Sequence, residues 1–225
     1  MSPLPAQFTD RWGGRREGLS YDDSVCWHLL LGSDARVRTA VADAQQRLAR
    51  FGGMHMTPVR WLHSTVLLAG PAAAISPADM TEMLARARDA LAEIPPVTVT
   101  MGRFLYSSEG IALAISPASA LSPVLAAAQA ATRAVTGMSG SAEATSSALP
   151  PHLTICYSTG EQPTAPVIAE LGKAVPGCEV TIDRLSLVVQ NGPEELWDWR
   201  VAGTARLGGN DGRGPGPLQR LEPLR

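Results

Sequence analysis

The sequence lacks several features that would place it in large classes of proteins. None of its apolar runs approaches the roughly 18 residues that a membrane-spanning helix requires, although 45% of the 225 residues are hydrophobic. The N-terminus contains arginines but no apolar stretch behind them, so it resembles neither a signal peptide nor a transit helix. These absences favour a cytoplasmic protein that does not associate with membranes.

The sequence also has almost no excess of charge of either sign, and it has few cysteines. A formal net charge of −2 and a pI near 6.1 predict no groove for a long nucleic acid, although a short end or a single nucleotide remains compatible. The three cysteines, Cys26, Cys156 and Cys178, lie far apart in apolar stretches, which favours buried, reduced thiols over disulfides or a metal site. No glycine-rich phosphate loop follows any expected strand, which argues against dinucleotide-binding folds and P-loop enzymes.

What is present is an alternation of short strands and helices, separated by glycine and proline. We expect strands at 25–32, 59–70 and 152–158, a hairpin over 96–116 that turns at 107–110, and a final pair of strands at 178–190 and 195–207. Helices are expected at 33–53, 76–94, 118–137 and 165–175, with Ser33 or Asp34 capping the first and Ser76 the second. The small, polar segment 137–150 is expected to be a mobile loop.

This order of elements predicts an α+β protein with two pseudo-symmetric lobes. Each lobe would consist of antiparallel strands with helices packed outside, and a central cleft would separate the lobes. We expect one domain over residues 24–206, preceded by an N-terminal extension (1–23) and followed by a disordered tail (207–225). The chain is long enough to bury its own core, and we expect a monomer.

Three of the four histidines, His55, His63 and His152, are followed two positions later by threonine, which is far more than the 15 threonines of the chain would give by chance. In a strand, residues i and i+2 point to the same face. His63 with Thr65, and His152 with Thr154, therefore each present an imidazole beside a hydroxyl. His55 lies between Gly53 and Pro58, where we expect a loop without a functional role.

Two such pairs facing each other would surround a small anion with two imidazoles and two hydroxyls. Phosphodiester chemistry needs this set, because one neutral imidazole accepts a proton, a protonated one donates a proton, and hydroxyls hold the phosphate oxygens. The alternative is that each histidine is a core residue beside a β-favouring threonine. A metal-dependent hydrolase is disfavoured, because neither histidine strand carries a further His, Asp or Glu at same-face spacing.

The segments HSTV (63–66) and HLTI (152–155) resemble the paired His-x-Thr motifs of the 2H phosphoesterases. The layout of residues 24–205 is similar to the 2′-5′ RNA ligase-like branch, the RNA 2′,3′-cyclic phosphodiesterases. This resemblance implies a hydrolase that opens cyclic phosphates without metal or cofactor, and some members also join RNA ends reversibly through a 2′-5′ linkage. It makes His63 and His152 the acid–base pair and Thr65 and Thr154 the phosphate-orienting hydroxyls. By the same analogy, His152 would handle the attacking water and His63 the leaving 3′ oxygen.

The sequence departs from the family pattern at two positions. Ser64 stands where an apolar residue is commoner, and Tyr157 stands where several members carry an arginine that meets phosphate. Tyr157 can donate a hydrogen bond or stack on a base but supplies no charge. His28 and Trp61 are further candidates for substrate contact, whereas the arginines at positions 11, 15 and 16 are interpreted as solubilising the terminus.

Two functions of different classes therefore remain open. The first is a phosphoesterase that acts on a 2′,3′-cyclic phosphate, carried either by an RNA end or by a small nucleotide. The second is a protein that binds a nucleotide or an RNA end in the same cleft without turning it over.

Overall fold

The computed structural model describes residues 4–13, 22–141 and 150–208. Within these ranges the chain forms helices α1 (Ala35–Leu48), α2 (Pro77–Ala92), α3 (Ser122–Thr136) and α4 (Ala165–Leu171). The strands are β1 (Gln7–Phe8), β2 (Ser24–Leu30), β3 (Met54–Met56), β4 (His63–Pro71), β5 (Val97–Ser107), β6 (Gly110–Ser116), β7 (His152–Ser158), β8 (Gln162–Pro163), β9 (Ala174–Ile182), β10 (Arg184–Gln190) and β11 (Trp199–Arg206).

The first two helices begin at the caps that the sequence indicates. The Asp34 carboxylate accepts hydrogen bonds from the backbone N–H groups of Arg36 and Val37 at the start of α1. Ser76 and Asp79 form a reciprocal capping box at the start of α2. These contacts satisfy backbone donors that have no partner within the helix, so local sequence is sufficient to set both boundaries.

Two antiparallel sheets form the body of the protein. A four-stranded sheet has the order β11-β10-β2-β4, and a five-stranded sheet has the order β3-β7-β6-β5-β9. Helices α2 and α3 pack on the first sheet, and α1 packs with α4 on the second. Strand β4 of one sheet contacts β7 of the other, which brings the two His-x-Thr strands together. The predicted α+β architecture of two sheet-rich lobes with outer helices is confirmed.

The two lobes do not correspond to the two halves of the chain. The four-stranded sheet combines β2 and β4 with β10 and β11, so the C-terminal hairpin returns to the lobe that the N-terminal half begins. The sequence suggested one long strand over 178–190, but the chain changes sheets at Asp183, between β9 and β10. Alternation of apolar residues is a local signal and does not reveal which sheet a strand joins.

Two shorter segments also differ from expectation. Residues 59–61 form a single 3₁₀ turn instead of the start of a strand, so that β4 begins at His63 itself. Residues 194–196 form another 3₁₀ turn, so the last strand, expected from residue 195, begins only at Trp199. Between this second turn and β11, Trp197 adopts φ 53° and ψ 37°, a left-handed conformation that is rare for a bulky side chain.

The segment 4–13 packs onto the body of the protein. Strand β1 pairs with β8, Thr9 N–H donates to the Ser108 carbonyl at 2.7 Å, and Arg11 N–H donates to the Ser158 carbonyl at 2.9 Å. Phe8 is fully buried in the main hydrophobic core. The interpretation of the N-terminal arginines as solubilising residues is wrong for Arg11, whose side chain is only 12% exposed.

Other expectations concern cysteines, membranes and disorder. Cys26, Cys156 and Cys178 are all buried and none forms a disulfide, which confirms the interpretation from sequence. In the described part of the chain, no helix is both long and apolar enough to span a membrane. Three of the expectations concern residues outside those that the structure describes. These are most of the expected mobile loop (142–149), the arginines at 15 and 16, and nearly all of the expected tail (209–225).

Replacing Phe8 with Ala tests whether this N-terminal segment contributes to folding. We expect a loss of about 3–5 kcal/mol in the free energy of unfolding, because the substitution removes a fully buried aromatic side chain. Chemical denaturation measures the change. Leu4→Ala on the same segment is the control, since Leu4 is 61% exposed and its truncation should change stability by less than about 0.5 kcal/mol. Equal losses in the free energy of unfolding for the two variants would contradict a contribution of Phe8 to folding.

Candidate functional site

His63 is the first residue of β4, and the turn before it fixes its ring. The 3₁₀ turn Val59–Trp61 places the Trp61 carbonyl 2.7 Å from His63 Nδ1. A carbonyl oxygen can only accept, so Nδ1 carries the proton. In the neutral imidazole, Nε2 then bears the lone pair. His63 is therefore held as a proton acceptor at Nε2.

His152 repeats this arrangement at the start of β7. Its Nδ1 lies 2.9 Å from the carbonyl of Pro150, again two residues earlier. The same reasoning places a proton on Nδ1 and leaves Nε2 available for chemistry. The local geometry thus repeats in both lobes, with each imidazole oriented by the backbone that enters its strand.

The threonines of both motifs follow the alternation of their strands. Thr65 and Thr154 are each partly exposed. The residue that separates histidine from threonine, Ser64 or Leu153, is buried on the opposite face. Each strand therefore presents an imidazole and a hydroxyl on one face, as the spacing predicts.

His28 joins the first motif from the neighbouring strand. In the β2–β4 register His28 lies opposite Thr65, and its Nε2 is 3.3 Å from Thr65 Oγ1. Its ring stacks on that of His63, with centroids 4.3 Å apart. His28 Nδ1 is buried and has no hydrogen-bond partner among the described residues. His28 is thus in direct contact with both His63 and Thr65.

The surroundings of His63 keep it neutral. Burial lowers the pKa of His63, the hydrogen bond to Trp61 and the carboxylate of Glu194 raise it, and the nearby His152 lowers it slightly, with a net pKa of about 4. Burial and the neighbouring His63 also lower the pKa of His28 well below its ordinary value. Both rings are consequently uncharged at neutral pH.

A cleft of about 350 Å³, including its open mouth, lies in front of His63. His28, Thr65 and Tyr157, three of the residues singled out from sequence, border it together with His63. Trp61 is not among the bordering residues and instead packs edge-on against Trp199. His152 and Thr154 do not border this cavity either; they lie on the adjoining strand of the other sheet. The remaining bordering residues are Cys26, Gln190, Glu194, Trp197 and Trp199.

Sequence reasoning missed the residues that the C-terminal hairpin brings to the cleft. Glu194, Trp197 and Trp199 belong to PEELWDW, which alternating hydrophobicity could only suggest as strand. His55, expected in a loop, lies on β3, and its Nε2 accepts a hydrogen bond from Trp197 Nε1 at 3.1 Å. The concentration of tryptophan beside acidic residues was the available signal for this loop.

No group of three or more His, Cys, Asp or Glu side chains that could hold a metal ion occurs within residues 4–13, 22–141 and 150–208. The polar groups that border the cleft include imidazoles, hydroxyls, the Glu194 carboxylate and the Gln190 amide.

Each of the two lobes holds a backbone-oriented imidazole and a threonine, on strands that adjoin, an arrangement that agrees with the two-histidine (2H) phosphoesterase superfamily. A model of the 2′-5′ RNA ligase superfamily matches residues 34–194, so the chain belongs to that superfamily. Membership places it among phosphoesterase- and ligase-type enzymes. Comparison of the sequence with curated proteins gives no significant match.

Solved structures share the fold at low sequence identity. Protein TT0787 of Thermus thermophilus has a TM-score of 0.60 and 18% identity, covering 83% of this chain and 99% of its own. LigT of E. coli, complexed with 3′-AMP, has a TM-score of 0.60 and 12% identity, covering 83% of this chain and 98% of its own. A protein described as a phosphoesterase has a TM-score of 0.61 and 13% identity, covering 84% and 99%.

The lowered pKa of His63 predicts a loss of stability in acid. The unfolded chain binds a proton at His63 near pH 6.5, whereas the folded protein binds it near pH 4. The unfolded state therefore holds more protons in this window, and the free energy of unfolding should fall as the pH decreases from about 6.5 to about 4. Denaturation of wild type and His63→Gln at several pH values measures the slope.

We expect the variant to have the shallower slope between these limits and to parallel wild type above pH 7. The lowered pKa of His28 adds to the pH dependence of stability in both proteins, so the slope should decrease in the variant without vanishing. If wild type and His63→Gln have identical slopes, the pKa of His63 is not lowered in the folded protein.

Proposed function

We propose that this protein is a phosphoesterase that opens 2′,3′-cyclic phosphates, on RNA ends or on small nucleotides, without a metal ion. The observation that carries the proposal is the pair of Nδ1-anchored imidazoles on β4 and β7, each with a threonine hydroxyl two residues on. Superfamily membership supports the reaction class. The complex of LigT with 3′-AMP shows that a protein of this fold accepts a mononucleotide.

In the proposed reaction, the oxygen of water forms a bond to phosphorus while the bond from phosphorus to the 3′ oxygen breaks. His63 Nε2 takes the proton from water, because the lowered pKa leaves this ring neutral before substrate binds. Protonated His152 donates its Nε2 proton to the leaving 3′ oxygen. The product is a 2′-phosphate with a free 3′-hydroxyl, and proton exchange with solvent restores both rings.

This assignment reverses the roles that the family analogy suggests for the two histidines. A ring with a pKa near 4 is almost entirely unprotonated at neutral pH and is therefore a poor proton donor. The threonine hydroxyls of Thr65 and Thr154 would hold the non-bridging phosphate oxygens as charge develops. If the 5′-hydroxyl of a second RNA replaces water, the same proton transfers produce a 2′-5′ linkage.

Turnover of the four nucleoside 2′,3′-cyclic phosphates and of a short RNA ending in one, with chelator present, tests the function. Wild type should produce 2′-phosphates. His63→Ala and His152→Ala should each lose about 10²–10⁴-fold in kcat. Thr65→Ala and Thr154→Ala should lose about 10–10³-fold in kcat/KM, and Thr→Ser should restore most of it.

Thr39→Ala is the matched control, because Thr39 is exposed on α1 and bonds only its own helix. Wild type that binds these nucleotides but never converts them would replace the proposal with the non-catalytic binding protein. Activity that vanishes with chelator and returns with a divalent ion would contradict the metal-free mechanism.

A substrate with a good leaving group separates the two histidine roles. A p-nitrophenyl phosphodiester needs no proton on its leaving oxygen, so His152→Ala should lose less than about tenfold on it, whereas His63→Ala should remain severely impaired. For wild type acting on this p-nitrophenyl substrate, which needs no proton donor, kcat/KM should fall in acid with a midpoint near pH 4, following the pKa of His63. Rescue of His63→Ala instead of His152→Ala would assign the roles the other way.

A further inference from the structure

The segment 4–13 lies outside the part of the chain that matches the superfamily, which begins at residue 34. Yet its backbone is bonded to the end of a motif strand, because Arg11 N–H donates to the carbonyl of Ser158, the last residue of β7. Phe8 anchors the segment in the core. Arg11 is therefore held in a fixed position beside β7.

The Arg11 guanidinium contacts groups that come from both sheets. Its Nη1 lies 2.8 Å from Glu109 Oε2, at the β5–β6 turn of the five-stranded sheet. Its Nη2 lies 3.1 Å from Glu194 Oε1, in the β10–β11 connection of the four-stranded sheet. Its Cζ lies 4.3 Å from the centre of the Tyr157 ring on β7. A single planar cation thus joins the two lobes.

Two of these contacts reach the cleft directly. Glu194 and Tyr157 both border it, and Glu194 is close enough to act electrostatically on His63. The adjacent Trp12 adds a second donor, with its Nε1 3.4 Å from Glu194 Oε2. The Trp12 ring also packs edge-on against Tyr157, with centroids 5.5 Å apart. The Arg11-Trp12 pair therefore fixes one wall of the cleft.

The loop that carries Glu194 is also bonded to the residues just before β2. Glu194 N–H donates to Asp22 at 2.7 Å, and Gly192 N–H donates to Asp23 at 2.9 Å. The loop includes the left-handed Trp197, a conformation that persists only where surrounding contacts enforce it. Arg11 links this loop, through Glu194, to Glu109 in the other lobe. Loss of Arg11 would therefore remove this link between the lobes.

We propose that Arg11 is a positioning residue, an inter-lobe clamp that holds Glu194 and Tyr157 in place in the wall of the cleft that His63 borders. This inference rests on the proposed function, since the clamp acts on the same cleft. Arg11 itself does not border the cavity and acts through the groups it holds. The planar guanidinium suits this role, because it can bond two carboxylates and stack on a ring at once, which an ammonium cannot.

The clamp is tested kinetically with Arg11→Gln, Arg11→Lys and Glu109→Gln. Arg11→Gln should lower kcat at least tenfold while KM for a cyclic nucleotide changes less than threefold. Arg11→Lys should recover only part of the loss. Glu109→Gln should lower kcat less, and combining it with Arg11→Gln should add nothing, because both release the same tie.

Arg36→Gln is the matched control. Arg36 also forms an ion pair with a carboxylate, at 2.9 Å from Asp34, but on the exposed start of α1. It should keep wild-type kcat. Equal kcat for folded Arg11→Gln and wild type would overturn the clamp, whatever the change in thermal stability.

Hydrogen exchange tests the clamp independently of turnover. In Arg11→Gln, amides of both the 191–198 loop and the 107–110 turn should exchange faster than in wild type, whereas Arg36→Gln should leave both unchanged. Unchanged exchange at both segments in Arg11→Gln would overturn the proposal even if wild type converts no cyclic phosphate. If wild type proves inactive but these amides still exchange faster in Arg11→Gln than in wild type, the clamp is retained and only the proposed function is rejected.

Discussion

The orientation of the two motif histidines depends on one kind of hydrogen bond, made twice. The Nδ1–H of His63 and of His152 each donates to a carbonyl two residues earlier, at Trp61 and Pro150. Because the carbonyl cannot donate, this bond fixes both the tautomer and the direction of the ring. The bond is local to the turn before each strand, so the rest of the fold has only to place two strand starts at the correct separation. The contact of β4 with β7 achieves this.

The aromatic wall of the cleft also affects the protonation of His28 and His63. Trp199 packs edge-on to both His63 and His28, with centroids 4.5 and 4.9 Å away. This apolar cover disfavours the charged imidazolium and so supports the neutral state of both rings. Within the same wall, Trp197 Nε1 donates a hydrogen bond to His55.

Local signals in the sequence were sufficient for the caps of α1 and α2, the 107–110 hairpin and the faces of both His-x-Thr strands. Each of these depends on residues within about four positions of one another. The contacts of His28 with Thr65 and of Arg11 with Glu194 depend on which strands become neighbours. Register and sheet membership arise from long-range packing, so alternation could identify β10 and β11 as strands but could not assign them to the sheet of His63.

The passage of the chain from β9 to β10 at Asp183 limits how the two lobes can move. Only this residue separates a strand of one sheet from a strand of the other, so Ile182 and Arg184 can be no more than about 7 Å apart at Cα. The Asp183 carbonyl also accepts a hydrogen bond from Leu207 N–H at 2.8 Å. The sheets therefore cannot slide apart as free bodies. Any widening of the cleft must be a rotation about this short crossing, with the largest displacement at the end most distant from it.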